Sequence, residues 1–175
     1  EELDLSNVAG LINGAEPVSI SSIDKFNAAF ARYNLPATAV KPSYGMAEAT
    51  LFISTIDPTA RATAIHLDRR HLREGHAVRV APDHLHAVAH VSCGHVARSL
   101  WATITDPDSG AELPDGDVGE IWLHGDNVGS GYWGRGRDSE LAFGNKLQSR
   151  NEYGSRAEGV PDAARWFRTG DLGVF

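Results

Sequence analysis

Ala37-Thr-Ala-Val-Lys-Pro-Ser-Tyr-Gly-Met-Ala-Glu48 decides the reading of this chain. Ala37 to Lys41 is a short apolar strand, and Pro42-Ser-Tyr-Gly45 follows as a turn. Upstream, Val8 to Ile12 is a second apolar run that ends at Asn13-Gly14, as a buried strand entering a glycine turn would. Between the two, Ser21-Ser-Ile-Asp24 matches a capping box. Ile23, Phe26, Phe30 and Tyr33 follow at helical spacing, and the helix should stop near Asn34 because Pro36 cannot continue it. Strand, helix, strand over residues 1–56 predicts a parallel βαβ unit. Ligands of such units sit at the carboxyl ends of the strands. Asn13-Gly-Ala-Glu-Pro17 and Ser43-Tyr-Gly-Met-Ala-Glu48 both fall there, which points to one shared site.

The character changes at about Asp57. Residues 57–89 are polar, rich in Arg and His, and weakly periodic, so they read as an insertion or long connection, with a helical turn over His66 to Leu72. From Val91 the pattern is β. Leu100 to Thr105 is a strand closed by the turn Asp106-Pro-Asp-Ser-Gly110, and Asp115-Gly-Asp-Val-Gly119 is a second turn. Glu120 to Gly125 alternates, with Ile121 and Leu123 on one face and Trp122 and His124 on the other. Gly129, Gly131, Gly134 and Gly136 mark a flexible loop, Asp138 to Phe143 a short helix, and residues 144–163 a polar excursion. Trp166-Phe-Arg then enters the turn Thr169-Gly-Asp171, with a new strand beginning at Leu172. Several short strands with turn signals predict a small distorted antiparallel β-barrel. The expected organisation is an α/β piece at 1–56, an insertion at 57–89 and the barrel at 90–175.

Bulk properties narrow the function. The chain has 175 residues, 42% hydrophobic and 22% charged, an ordinary globular balance. A net charge of -7 argues against nonspecific nucleic-acid binding. No apolar run approaches the roughly 20 residues of a membrane span. The single cysteine, Cys93, excludes an internal disulfide and fits a reducing, cytoplasmic compartment. Glu1 to Ser6 reads as the middle of a domain and Gly173-Val-Phe175 stops within an apparent strand, so a piece of a larger protein is expected.

Four motifs can carry chemistry. In Tyr44-Gly-Met-Ala-Glu48, Gly45 lets backbone approach a flat ligand, Tyr44 can stack on it, and Glu48 is a hard oxygen donor suited to Mg²⁺. Taken alone, the same residues fit a buried Tyr in a turn beside an exposed Glu. In Thr169-Gly-Asp171 the carboxylate can accept both hydroxyls of a ribose; a plain turn Asp fits as well. Asn13-Gly-Ala-Glu-Pro17 precedes a helix, where backbone N–H groups attract anions or polar edges; it also fits a plain strand-to-helix turn. His66, His71, His76, His84, His86, His90 and His95 crowd one segment. His84, His86 and His90 could meet a Zn²⁺, but no CxxC pair or HExxH motif accompanies them, and a solvated His-rich loop accounts for them. Gly129-Ser-Gly-Tyr-Trp133 lacks Walker spacing and is not assigned to phosphate.

As an ordered set the motifs are more specific than any member. Asn-Gly-Ala-Glu-Pro, Tyr-Gly-Met-Ala-Glu, Gly119-Glu-Ile-Trp-Leu-His-Gly125 with Gly131-Tyr-Trp133, and Arg168-Thr-Gly-Asp171 together resemble the adenylate-forming superfamily. Within it the chain is similar to the fatty acyl-AMP ligases. Ala47 stands where many CoA ligases carry Thr, and 57–89 stands where these ligases carry an insertion. The stretch from Ala142-Phe-Gly-Asn-Lys146 through Trp166 is similar to the mycobacterial mycolic-acid-pathway branch.

The resemblance implies roles. Gly14, Ala15 and Glu16 would line the adenine and ribose side. Tyr44 would stack on adenine, with Ser43, Gly45, Met46 and Ala47 beside the base and the acyl carboxylate. Glu48 would hold Mg²⁺ as the candidate catalytic residue, and Asp171 would bind the ribose. ATP and Mg²⁺ would serve a fatty acid, and the acyl-adenylate would pass to an acyl carrier protein domain of a polyketide synthase. The phosphate loop should precede Glu1 and the catalytic Lys should follow Phe175, since Lys25, Lys41 and Lys146 match no motif for that role. A fragment of a long-chain fatty acyl-CoA ligase and a His-rich metal-binding or interaction module are the alternatives.

Overall fold

A computed structural model describes residues 3–175. β1 (Leu11–Asn13) pairs in parallel with β2 (Val40–Met46), and α1 (Ile20–Phe30) crosses between them. This is the βαβ unit that the sequence predicts. The helix is capped by Ser19, two residues before the predicted box, through a 3.4 Å bond from the Ser22 amide to Ser19 Oγ. It ends through a 3₁₀ turn, Ala31–Tyr33, with Asn34 left-handed at φ 61°, before Pro36. Only Ile23 of its apolar face is buried. β1 is an open edge rather than a buried strand, since Ile12 is 71% exposed.

The predicted turn at Pro42-Ser-Tyr-Gly45 is instead strand. β2 runs through to Met46 and makes its break as a register shift between Tyr44 and Gly45. Turn residues and bulge residues are the same small or proline set, so sequence alone does not separate the two. β3 (Leu51–Thr55), which the sequence reading did not resolve, folds back antiparallel on β2, and β6 (His95–Val96) extends the sheet in the order β1-β2-β3-β6.

Residues 57–89 have more order than their composition suggests. β4 (Ala64–Asp68) and β5 (Ala87–Val91) form their own two-stranded antiparallel sheet, and β5 crosses the boundary expected at 89. His66 lies in β4, and the helical turn begins later, at α2 (Arg69–Arg73), capped by the buried Asp68 carboxylate accepting from the Arg70 amide at 2.8 Å. Strands this short, paired across a polar connection, leave no clear period.

β7 (Leu100–Thr105), β8 (Gly119–Gly125) and β9 (Phe167–Gly173) form an antiparallel sheet in that order. Single bridges at Thr105–Glu112, Ala111–Ser149 and Asn145–Trp166 carry the distorted β architecture onward. Both faces of β8 are covered. Leu123 and Ile121 join Ile53, Leu100, Phe143 and Phe167 in one core, which ties β3 to this sheet and to α3 (Gly136–Phe143). Trp122 joins Ala157, Val160 and Trp166 in a second core under residues 144–166. The predicted split of the two faces of β8 is the split between these cores. Thr169-Gly-Asp171 is not a turn before a new strand; β9 passes through it, kinked at Gly170, where φ is 76°.

Candidate functional site

The two distant motifs meet. Tyr44, at the bulge of β2, donates its phenol hydrogen to Asp171 Oδ2 on β9 across 2.8 Å, although the two are 127 positions apart in sequence. Tyr44 is half-buried, and burial, reinforced by the Asp171 contact, pushes its phenol well above the usual tyrosine range. It is therefore a neutral donor at physiological pH. Asp171 is exposed, and its Oδ1 has no hydrogen-bond partner among the described residues. Two recesses of about 390 Å³ lie elsewhere, one beside Arg69, Arg70 and Arg73, the other beneath Gly129 and Phe143.

Close backbone approaches bring the remaining residues alongside. A Cβ at Gly45 would stand 1.8 Å from the Leu51 carbonyl oxygen, so only glycine fits there. A Cβ at Gly14 would stand 2.8 Å from the Ser43 carbonyl oxygen, which lays the Asn13–Glu16 loop against β2 beside Tyr44. Ala15, at φ 72°, holds a backbone conformation that L side chains rarely adopt, and both it and Glu16 are exposed. The Ser43 hydroxyl points inward, 3.1 Å from the Lys41 carbonyl oxygen and 2.9 Å from Thr55 Oγ1. Met46 packs on the first core, and the exposed Ala47 opens a 3₁₀ turn, Ala47–Ala49, whose last residue is buried in that core.

Glu48 lies on that turn and is clamped from the other side of the molecule. Tyr132 Oη donates to Glu48 Oε1 at 2.9 Å, and the Gly129 amide donates to the Glu48 carbonyl at 2.7 Å. Asn127 Nδ2 donates to the Ala49 carbonyl at 2.9 Å, and Thr50 Oγ1 donates to the Asn127 carbonyl at 2.6 Å. Thr50 and Leu51 are both left-handed, at φ 52° and 74°. A β-branched residue in that region is strained, and strain persists only where surroundings over-determine it. Sequence reasoning placed Tyr132 within a motif but missed this contact, and it missed Asn127 entirely; neither role has a local signal.

Mg²⁺ keeps most of its shell as water and phosphate oxygens and takes one or two protein carboxylates. The donors here fit that habit. Glu48 offers a single carboxylate, and among the described residues no group of three or more His, Cys, Asp or Glu could hold a metal ion. His71 and His84 gather instead at the buried Asp68 carboxylate, 3.7 and 3.9 Å away. Lys41 is also accounted for: its buried ammonium donates to the carbonyls of Asp57, Pro58 and Ala60. No helix among the described residues is long and apolar enough to cross a membrane.

A parallel βαβ unit is joined to a kinked β-sheet, with Tyr44 and Asp171 in contact across the join, and residues 1–133 match the family described as AMP-binding enzyme. The chain belongs to that family. It is 54% identical to the long-chain-fatty-acid–AMP ligase FadD32 of Mycobacterium marinum, over 99% of this chain and 27% of that protein. It is 40% identical to the putative fatty-acid–CoA ligase fadD25 of Mycobacterium tuberculosis, over 99% of this chain and 28% of that one. The fold is similar to the crystal structure of a fatty acyl-adenylate ligase from L. pneumophila in complex with acyl adenylate and pyrophosphate, with a TM-score of 0.84 and 29% identity over 100% of this chain and 28% of that one. The resemblance to fatty acyl-AMP ligases and the partial adenylate-forming fold read from the sequence are borne out. The chain spans about a quarter of the length of the relatives it matches.

Proposed function

We propose that this chain is the nucleotide-facing part of a fatty acyl-AMP ligase. In the reaction a long-chain fatty carboxylate attacks the α-phosphorus of ATP; the new C(O)O–P bond forms as the bond to pyrophosphate breaks. Such chemistry is mostly positioning and neutralisation of charge. Tyr44 stacks on adenine, with Gly14, Ala15 and Glu16 along the adenine and ribose side and Ser43, Gly45, Met46 and Ala47 beside base and acyl carboxylate. Asp171 accepts the ribose hydroxyls through its free oxygen. Glu48, oriented by Tyr132, is a ligand for Mg²⁺, which supplies charge neutralisation at the phosphates. The observation that carries this reading is the 2.8 Å contact of Tyr44 with Asp171, because it joins the base-stacking and ribose-binding motifs in one place.

The acyl group then passes from the adenylate to a carrier-protein thiol of a polyketide synthase in the cytoplasm, the C(O)–S bond forming as the bond to AMP breaks and AMP leaves. A CoA thiol is the second reading, favoured by the likeness to a protein named as a putative CoA ligase. The division into 1–56, 57–89 and 90–175 belongs to the same proposal. Lys41 is committed to three carbonyls, and Lys25 and Lys146 match no motif for the catalytic role, so the 175 residues alone do not turn over. The test is pyrophosphate release with ATP, Mg²⁺ and a long-chain fatty acid. The full-length protein should give fatty-acid-dependent release and an acyl-AMP product, and the 175-residue chain should give background. Absence of acyl-AMP from the full-length protein overturns the reading. Adding carrier protein or CoA to the full-length protein separates the two acceptors.

A further inference from the structure

Glu120 is a carboxylate on β8 that is only 5% exposed. Burying a carboxylate is costly unless its oxygens are satisfied, and here four donors converge on them. Oε2 accepts from Arg168 Nε at 2.9 Å, Arg168 Nη2 at 2.7 Å and Trp122 Nε1 at 3.1 Å. Oε1 accepts from the backbone amide of Gly170 at 3.0 Å. Burial works to raise this carboxyl, but Arg168, Trp122 and the Gly170 amide outweigh it and hold the group below its ordinary value, ionised at neutral pH.

The Gly170 contact has a consequence for the site. Glu120 pairs with Leu172 and Trp122 with Arg168, so one residue of β8, Ile121, faces three of β9: Thr169, Gly170 and Asp171. The extra residues bulge outward and lose their ladder partners. Side chains replace those partners. Glu120 takes the Gly170 amide, Thr169 Oγ1 donates to the Ile121 carbonyl at 2.8 Å, and the Asp171 amide donates to Thr169 Oγ1 at 3.0 Å. A Cβ at Gly170 would meet nothing within 4 Å, so glycine is needed there for its φ of 76° and not for space. The Asp171 carboxylate leaves this bulge and meets Tyr44.

We propose that Glu120 is a positioning residue for nucleotide binding: by holding the Gly170 amide it fixes the β9 bulge and so sets where Asp171 stands for the ribose hydroxyls. This rests on the reading of Asp171 as the ribose acceptor. Glu120 touches no substrate and acts through Gly170.

The test compares kcat/KM for ATP with that for 2′-deoxyATP in the full-length protein, together with KM for the fatty acid. Wild type should prefer ATP, and Asp171→Asn should collapse the preference. Glu120→Gln should lower it by roughly tenfold, the effect expected from disturbing a hydrogen bond to a charged group, while leaving the fatty-acid KM within about twofold. Glu120→Asp, which keeps the charge on a shorter arm, should fall between. A role confined to stability would lower activity with both nucleotides alike and leave their ratio unmoved. Should Glu120→Gln fail to fold, Gly170→Ala asks the same question with the ion pair intact, and its ratio should also drop. A ratio that falls for Asp171→Asn but stays at wild type for folded Glu120→Gln, or in its place Gly170→Ala, overturns the positioning role alone. A ratio unmoved by Asp171→Asn overturns the ribose reading, and the positioning role with it.

Discussion

Strands β2 and β9 both break register where they carry a motif, yet they are held in opposite ways. The β2 break lies between Tyr44 and Gly45 and is enforced by crowding. The Leu51 carbonyl comes so close to Gly45 that no side chain fits, and the following turn, with Thr50 and Leu51 left-handed, is clamped from outside by Asn127, Gly129 and Tyr132. The β9 break is enforced from beneath, by the buried Glu120 carboxylate on the Gly170 amide, with open space above. One bulge is fixed by shape and the other by charge. Bulges beside ligand sites re-aim side chains, and here the two aim Tyr44 and Asp171 at each other.

Alanine at the two glycines separates these mechanisms most sharply. Gly45→Ala places a methyl 1.8 Å from a backbone oxygen that is not free to move, and should cost ~3–5 kcal/mol in urea denaturation of the chain. Gly170→Ala meets no atom within 4 Å and bears only the left-handed backbone penalty, roughly 1–2 kcal/mol. Equal losses at the two positions would mean that crowding does not distinguish the bulges.

The outside clamp should yield next. Asn127→Ala removes the Nδ2 donor to the Ala49 carbonyl, at a cost of about 1 kcal/mol. The loss is moderated because Asn127 Oδ1 is itself buried without a partner and goes with it. Hydrogen exchange localises the effect: the Gly129 amide, bonded to the Glu48 carbonyl, should lose protection while amides of β7 keep theirs. Uniform loss across both would place Asn127 in the common core and not at the clamp.

The same contrast explains what could be read before the fold was known. β7 is legible to the residue at Leu100–Thr105, and the facing of β8 follows from its alternation, because each is a local pattern with buried consequences. Pro42, Gly45 and Gly170 are legible as chain breaks, but whether a break is a turn or a bulge depends on the register taken with the strand opposite, β1 for Pro42, β3 for Gly45 and β8 for Gly170. β3 and β4 fail because five residues carry too little period to be read as strands by themselves. At the site, the residue types at 44, 48 and 171 suggest their chemistry. Their supports, Asn127, Tyr132 and Glu120, come from loops and strands whose proximity only folding reveals.

Acid should strain the β9 bulge in particular. The Glu120 carboxyl is held below its ordinary value of 4.5 in the folded chain. A group with a depressed folded pKa contributes stability that is present above its unfolded pKa and is lost as pH falls through the folded one. Thermal midpoints should therefore drop as pH is lowered below about 4.5, and part of that slope should vanish in Glu120→Gln. An unchanged slope would assign the acid sensitivity to other carboxylates, of which Asp68, which accepts from the Arg70 amide and is also depressed, is a ready comparison.

The smallest effect is expected where the two motifs touch. Tyr44→Phe removes only the hydroxyl that donates to Asp171 Oδ2 at the edge of solvent, and should cost about 0.5–1 kcal/mol of stability. Its signature is spectroscopic. Burial and Asp171 raise the Tyr44 phenol above its ordinary value of 10, so in alkaline absorbance titration it should be the tyrosine that most resists ionisation. The most resistant component should be missing in Tyr44→Phe, leaving the lesser resistance of Tyr132, and should ionise more readily in Asp171→Asn, where the acceptor loses its charge. If the most resistant component survives Tyr44→Phe, it is Tyr132 against Glu48, whose phenol is also raised. The clamp, and not the meeting of the two bulges, would then be the tighter of the contacts.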